Sequence, residues 1–207
     1  MNSQALITKY PVISDQITKP ALSVVLRELE HVLQRKIKGD IAEFGCYIGT
    51  TSVFIRRLLD ETNESDHRLF YAYDSFEGLP TKVTADSSMS GEQFKTGELS
   101  VSKKQFLHTF QKARLAPPIT HKGWFKDLRP EQMPDTLAFA FLDGDFYDSI
   151  MDSLRLAWPR VAPGGVITID DYQREALPGV SAAVRDYFGT LPVSIRVEHN
   201  IGIVKKP

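Results

Sequence analysis

The sequence predicts a doubly wound α/β domain, a mostly parallel sheet with helices on both faces. Three observations predict it. Short apolar segments alternate with stretches of helical periodicity, the pattern of strand–crossover–strand units. The segment Leu137 to Leu142 is apolar throughout, as a parallel strand covered on both sides must be. Acidic residues stand at the ends of successive apolar segments, at Asp74, Asp143 and Asp170-Asp171, and a glycine turn, Gly45 to Gly49, follows the first strand. In such sheets ligands sit outside the carboxyl ends of the strands, near the point where strand order reverses.

Each element has its own signal. Lys19 to Lys36 repeats Leu22, Val25, Leu26, Leu29, Val32 and Leu33 at helical spacing, with Pro20 near its start and Gly39 just past a basic end. Ile41 to Phe44 reads as the first strand, and Thr50 to Leu59 as a helix beginning directly after Gly49. Leu69 to Tyr73 reads as the second strand, ending at Asp74. Residues 80–100, rich in Ser, Thr, Gly and Lys, form a connection long enough to be a candidate lid loop. Ser102 to Leu115 is a helix with Phe106 and Phe110 on one face, stopped by Pro117-Pro118. Ile119 to Gly123, Leu137 to Leu142 and Val166 to Ile169 are strands, the last preceded by a Pro163-Gly164-Gly165 turn. Tyr147 to Trp158, stopped by Pro159, and Gly179 to Phe188 are helices. Val193 to Val197 and Ile201 to Val204 pair as a closing antiparallel hairpin around His199-Asn200. No internal repeat or domain boundary interrupts residues 1–207, so a single domain is expected, with residues 1–38 as a helical accessory segment.

Bulk properties narrow the function. A formal net charge of -1 gives no electrostatic footprint for nucleic acid or an anionic membrane. The apolar runs are too short to span a bilayer, and residues 1–10 lack the pattern of a signal peptide. The single cysteine, Cys46, leaves no internal disulfide framework and fits a cytoplasmic location and a packing role. The amphipathic N-terminal helix makes a homodimer an expectation.

Gly45 and Gly49 bracket a turn where a ligand can approach the backbone closely. Free N–H groups of the helix at Thr50 suit an anion, and Asp74 suits vicinal ribose hydroxyls. A dinucleotide site would want Gly-x-Gly-x-x-Gly; this chain has Glu43-x-Gly45-x-x-x-Gly49. That segment resembles motif I of class I S-adenosylmethionine-dependent methyltransferases. The resemblance implies a Rossmann-like methyltransferase fold, with Glu43, Gly45, Gly49 and Asp74 as cofactor residues. Tyr73-Asp74-Ser75-Phe76-Glu77-Gly78-Leu79-Pro80, Gly97 to Ser102, Gly123-Trp124-Phe125, Leu142-Asp143-Gly144-Asp145, Pro163-Gly164-Gly165 and Ile169-Asp170-Asp171-Tyr172 follow in order. Over roughly residues 39 to 206 the series resembles the macrocin O-methyltransferase family, which methylates sugar hydroxyls of natural products with magnesium.

The resemblance implies S-adenosylmethionine and Mg²⁺ as cofactors and a small-molecule hydroxyl acceptor, a sugar or polyol, as partner. Ser75, Trp124 and Phe125 join the cofactor set, Trp124 or Phe125 against the adenine face or in plain core packing, and Thr50 and Thr51 as donors to the cofactor carboxylate or as helix caps. Asp143, Asp170 and Asp171 form the expected metal set, because converging carboxylates repel unless a cation or protons intervene, and oxygen-only ligands favour a hard ion. Asp145 is a candidate base or a helix cap, and Asp143 combines ligation with proton acceptance. His121 and His199 are alternative bases. Other readings are a catechol-type acceptor with the same cofactor and metal, a non-catalytic cofactor-binding protein, and an NAD(P) oxidoreductase, against which the glycine spacing argues.

Overall fold

The computed structural model describes residues 2–90, 93–189 and 191–207. Its strands are β1 (Asp40–Phe44), β2 (Phe70–Asp74), β3 (Ile119–Lys122), β4 (Leu137–Leu142), β5 (Val161–Ile169), β6 (Ile195–Glu198) and β7 (Ile201–Lys205). They form one sheet in the order β3-β2-β1-β4-β5-β7-β6. The first five are parallel, and β7 runs antiparallel to both β5 and β6. Strand order therefore reverses between β1 and β4. The helices are α1 (Ser3–Lys9), α2 (Lys19–Gln34), α3 (Thr50–Glu61), α4 (Lys103–Ala113), α5 (Tyr147–Ala157) and α6 (Pro178–Phe188).

Side chains alternate across the sheet and feed two cores. Ile41, Phe139, Phe141 and Val166 face α1, α2 and α3. Ala42, Phe44, Ala140, Leu142, Ile167 and Ile169 face α5 and α6, where Ile150, Leu154, Val180 and Val184 meet them. The N-terminal segment is thus one covering layer of the domain: Leu22, Leu26 and Leu29 are fully buried. Its helix starts at a Thr18 cap, whose hydroxyl accepts from the Ala21 N–H at 3.2 Å. α4 begins at a reciprocal Ser102–Gln105 cap and buries Phe106 and Phe110.

Several boundaries differ from the sequence expectation. The short α1 carries too few residues to show a repeat; Asn2 caps it, and it buries Leu6 and Ile7. β5 begins at Val161, not Val166. Its ladder pairs Leu137 with Val161 and Phe139 with Val166, so the Pro163-Gly164-Gly165 turn bulges out of a continuing strand. The hairpin strand β6 begins at Ile195, two residues later than expected. Its turn is the expected His199-Asn200, with φ of 49° and 68°. The 80–100 segment lies outside the described residues at 91–92. Its described parts close at the base through Leu79 N–H to Glu98 O and Gly97 N–H to Leu79 O, both 2.9 Å. No described helix is long and apolar enough to cross a membrane.

Candidate functional site

A cavity of about 610 Å³ opens at the carboxyl ends of β1, β2, β4 and β5, over the reversal point. Gly45 makes this end of the sheet possible. Its φ is 89°, and a Cβ there would fall 1.9 Å from the Asp143 carbonyl oxygen. The tips of β1 and β4 touch through the missing side chain.

Asp74, at the end of β2, organises the turn after β1. Its Oδ2 accepts the Cys46 and Tyr47 N–H groups at 2.7 and 3.1 Å, and its Oδ1 accepts the Phe76 N–H at 2.7 Å. Those three bonds hold a backbone with Tyr47 and Phe76 in the left-handed region, at φ of 46° and 52°. Such conformations in bulky residues persist only where the surroundings enforce them. Ser75 staples the next turn, its hydroxyl donating to Gly78 O and accepting from the Glu77 N–H. Trp124 and Phe125 form part of the wall, and Phe125 packs edge-on against Phe44 at 5.5 Å.

Among the described residues the wall includes Gly45, Asp74, Ser75, Trp124, Phe125, Asp143, Asp145 and Asp171, whereas Glu43, Gly49, Thr50, Thr51 and Asp170 lie behind it. Alternation explains Glu43: two residues after Ile41, it points to the α3 face and accepts from the Ser52 hydroxyl. Burial drives its pKa up to about 8. Gly49, at φ 91°, precedes α3 and leaves room for Phe106. Thr50 and Thr51 are buried, and the Thr50 hydroxyl has no hydrogen-bond partner among the described residues.

The acids at the ends of β4 and β5 perturb one another. Burial, then repulsion from Asp170, Asp145 and Asp171, pushes Asp143 far above the carboxylate range. Burial and its neighbours Asp171 and Asp170 raise Asp145 to about 8. Asp170 rises to about 7, chiefly by burial, while its carboxylate accepts the Asp171 N–H at 2.9 Å. Asp171 is raised by burial and pulled back by Arg174, whose Nη1 donates to both its oxygens at 3.1 Å. Asp145 and Asp171 both adopt left-handed backbone, at φ of 59° and 53°. As the side chains stand, no group of three or more described His, Cys, Asp or Glu residues forms a metal cage. The oxygen-only donors suit a hard cation chemically, but Asp171 is turned to Arg174 instead.

Other expectations resolve in the surroundings. Asp145 does not cap α5: the Tyr147 N–H is taken by Asp86 at 2.7 Å, a residue the sequence reading passed over. Arg174, on the cavity wall, was also passed over. His121 stacks on Tyr73 at 5.4 Å near the β3 edge, and His199 sits in the hairpin turn; neither reaches the wall. The Tyr172 ring covers Gly202 of β7.

A model of the family described as macrocin-O-methyltransferase (TylF) matches residues 13–198. The chain is 36% identical over 172 residues to an 8-demethyl-8-(2,3-dimethoxy-α-L-rhamnosyl)-tetracenomycin-C 4′-O-methyltransferase of Streptomyces olivaceus, covering 80% of this chain and 64% of that protein. It is 33% identical over 167 residues to a mycinamicin III 3″-O-methyltransferase of Micromonospora griseorubida, covering 77% and 64%. The chain thus spans just under two thirds of the length of these curated relatives. The solved structure of the O-methyltransferase NovP matches with a TM-score of 0.79 at 26% identity, covering 92% of this chain and 81% of that one.

Proposed function

The chain belongs to the macrocin O-methyltransferase family, and from that premise we propose that it transfers the methyl group of S-adenosylmethionine to a hydroxyl of a sugar on a natural-product glycoside. The observation that carries the reading is the acid-lined cavity at the reversal point, whose wall includes the Gly45 turn together with Asp143, Asp145 and Asp171. The turn and Asp74 suit the methionine and ribose ends of the cofactor, and Trp124 and Phe125 suit its adenine. The Streptomyces olivaceus relative is a methyltransferase of a rhamnosyl-tetracenomycin, which favours a sugar acceptor.

In the reaction a hydroxyl oxygen forms a bond to the methyl carbon as the carbon–sulfur bond breaks. The hydroxyl proton leaves to a base, and S-adenosylhomocysteine is released. Asp145, on the wall, is the candidate base: burial, Asp171 and Asp170 raise its pKa to about 8, and a cation among those acids would lower it toward the working pH. Asp143, Asp170 and Asp171 would hold Mg²⁺ if Asp171 exchanged Arg174 for the ion; bound there, it would make an acceptor hydroxyl more acidic. What this chain's residues contribute otherwise is orientation, and alignment alone can supply about 7–11 kcal/mol of such a barrier.

The test has two stages. S-adenosylhomocysteine at a hundredfold over its Kd should stabilise the chain by about 2.7 kcal/mol. The chain is then incubated with S-adenosylmethionine, Mg²⁺ and mycinamicin III, the rhamnosyl-tetracenomycin and simple catechols, and methylated products are read by mass. Methylation of catechols alone would overturn the sugar reading, and absence of S-adenosylhomocysteine binding would sink the enzyme reading.

A further inference from the structure

Two walls of the cavity come from separate parts of the chain. The 80–100 segment supplies Lys82, Val83 and Thr96; α5 and the turn before it supply Asp145, Asp148 and Ser149. One carboxylate, itself off the wall, holds both. Asp86 is 3% exposed. Its Oδ2 accepts the Val83 N–H at 2.9 Å, and its Oδ1 accepts the Tyr147 N–H at 2.7 Å. Phe146, which precedes α5, offers no side-chain acceptor, so the opening amide of that helix depends on Asp86. The start of α6 closes over the same carboxylate: a Cβ on Gly179 would fall 1.8 Å from Asp86 Oδ1. Among the described residues the segment also places Lys82 over the Phe146 ring at 5.4 Å, Ser88 Oγ on Glu175 O at 2.8 Å and Phe94 under Arg174 at 4.8 Å, all at the protein surface or through a cation–ring contact rather than a buried hydrogen bond.

We propose that Asp86 is a positioning residue for the methyl-transfer reaction, fixing the Asp143–Asp145 turn and the covering segment against each other so that the cofactor cavity keeps its shape. This rests on the methyltransferase reading above. A purely stabilising residue could be lost without changing the cavity once the chain is folded. Loss of Asp86 instead removes the buried hydrogen bonds that join the two walls and leaves the Lys82–Phe146 contact to hold them, a loosening that a ligand spanning both must feel.

The test compares the full chain with Asp86→Asn and Asp86→Ala, using amide hydrogen exchange and S-adenosylhomocysteine binding by calorimetry. An asparagine has one acceptor oxygen, so it satisfies one of the two N–H groups and turns its NH₂ toward the other. Exchange around Val83 or around Tyr147 should then rise about tenfold or more while the other stays near wild type. Asp86→Ala should raise both and weaken S-adenosylhomocysteine about tenfold, roughly 1.4 kcal/mol. A folded Asp86→Ala chain that binds within about twofold of wild type overturns the proposal, whatever its melting temperature. If Asp86→Ala does not fold, Asp86→Asn decides: unchanged binding, or weakened binding without raised exchange at either amide, overturns it, and weakened binding with raised exchange at Val83 or Tyr147 supports it. Wild-type chain that binds no S-adenosylhomocysteine fails the methyltransferase reading itself, a different result from wild-type binding that Asp86→Ala leaves intact.

Discussion

Replacing Glu43 with glutamine should change how stability depends on pH. The side chain is 1% exposed between β1 and α3. Burial raises its pKa from 4.5 to about 8, the Ser52 hydroxyl pulling down and Asp74 pushing up. The folded chain therefore keeps this proton through neutral pH, while the unfolded chain releases it near 4.5. The stability that goes with it is fully present below about pH 4.5 and is lost as pH rises through about 8. At about 1.36 kcal/mol per pH unit between those two values, the loss is at most about 5 kcal/mol. Glutamine stays neutral at every pH, and its carbonyl oxygen can still accept from Ser52. Asp143, Asp145 and Asp170 also have raised pKa values and give wild type a slope of the same sign, so the readout is the difference between the two chains. Urea unfolding at intervals from pH 5 to 8 should show the glutamine chain gaining on wild type by about 1.4 kcal/mol per pH unit. A difference that stays flat over that range would refute the proton-holding Glu43.

Gly45→Ala should cost about 1–2 kcal/mol for its left-handed backbone alone, and the 1.9 Å approach to Asp143 O should also force the β1 and β4 tips apart. Thermal unfolding should show a lower midpoint and no S-adenosylhomocysteine shift; a full shift would mean the tips separate without harm to the site. Asp74→Asn keeps the shape but sets an NH₂ against a backbone donor, a cost of about 1–3 kcal/mol. It should weaken S-adenosylhomocysteine about tenfold by calorimetry, and unchanged affinity would remove Asp74 from the ligand site. Magnesium chloride should raise the melting temperature of the S-adenosylhomocysteine complex, and Asp143→Asn or Asp171→Asn should erase that rise. A rise that survives both substitutions would put the ion elsewhere. Asp143→Asn should also abolish turnover while cofactor affinity stays within about threefold, measured by calorimetry.

The parts legible in the sequence are those whose cause is local. Leu137 to Leu142 shows its burial in composition, Ser102 and Gln105 announce a helix start, and His199-Asn200 marks a two-residue turn. Acids at strand ends were legible as a cluster because topology brings β4 and β5 side by side. What stayed hidden depends on partners far along the chain. Asp86 looks like any loop acid until Tyr147 arrives beside it. Arg174 is an ordinary basic residue until Asp171 turns toward it. Pro163-Gly164-Gly165 reads as a stop, yet the ladder resumes past it because β4 continues alongside. The inward placement of Glu43 was within reach of simple alternation from Ile41.

The reversal of strand order also sets a timetable for folding. β1 sits between β2 and β4, and its second partner is synthesised only after β2, α4 and β3 have been made. Until then one side of β1 is an unpaired apolar edge, open to association with other chains. The contact of Gly45 with Asp143 closes a long loop, which is slow to form and adds to the entropic barrier. Nascent chains halted before Leu137 should therefore aggregate, and refolding should complete the sheet centre in its slow phase.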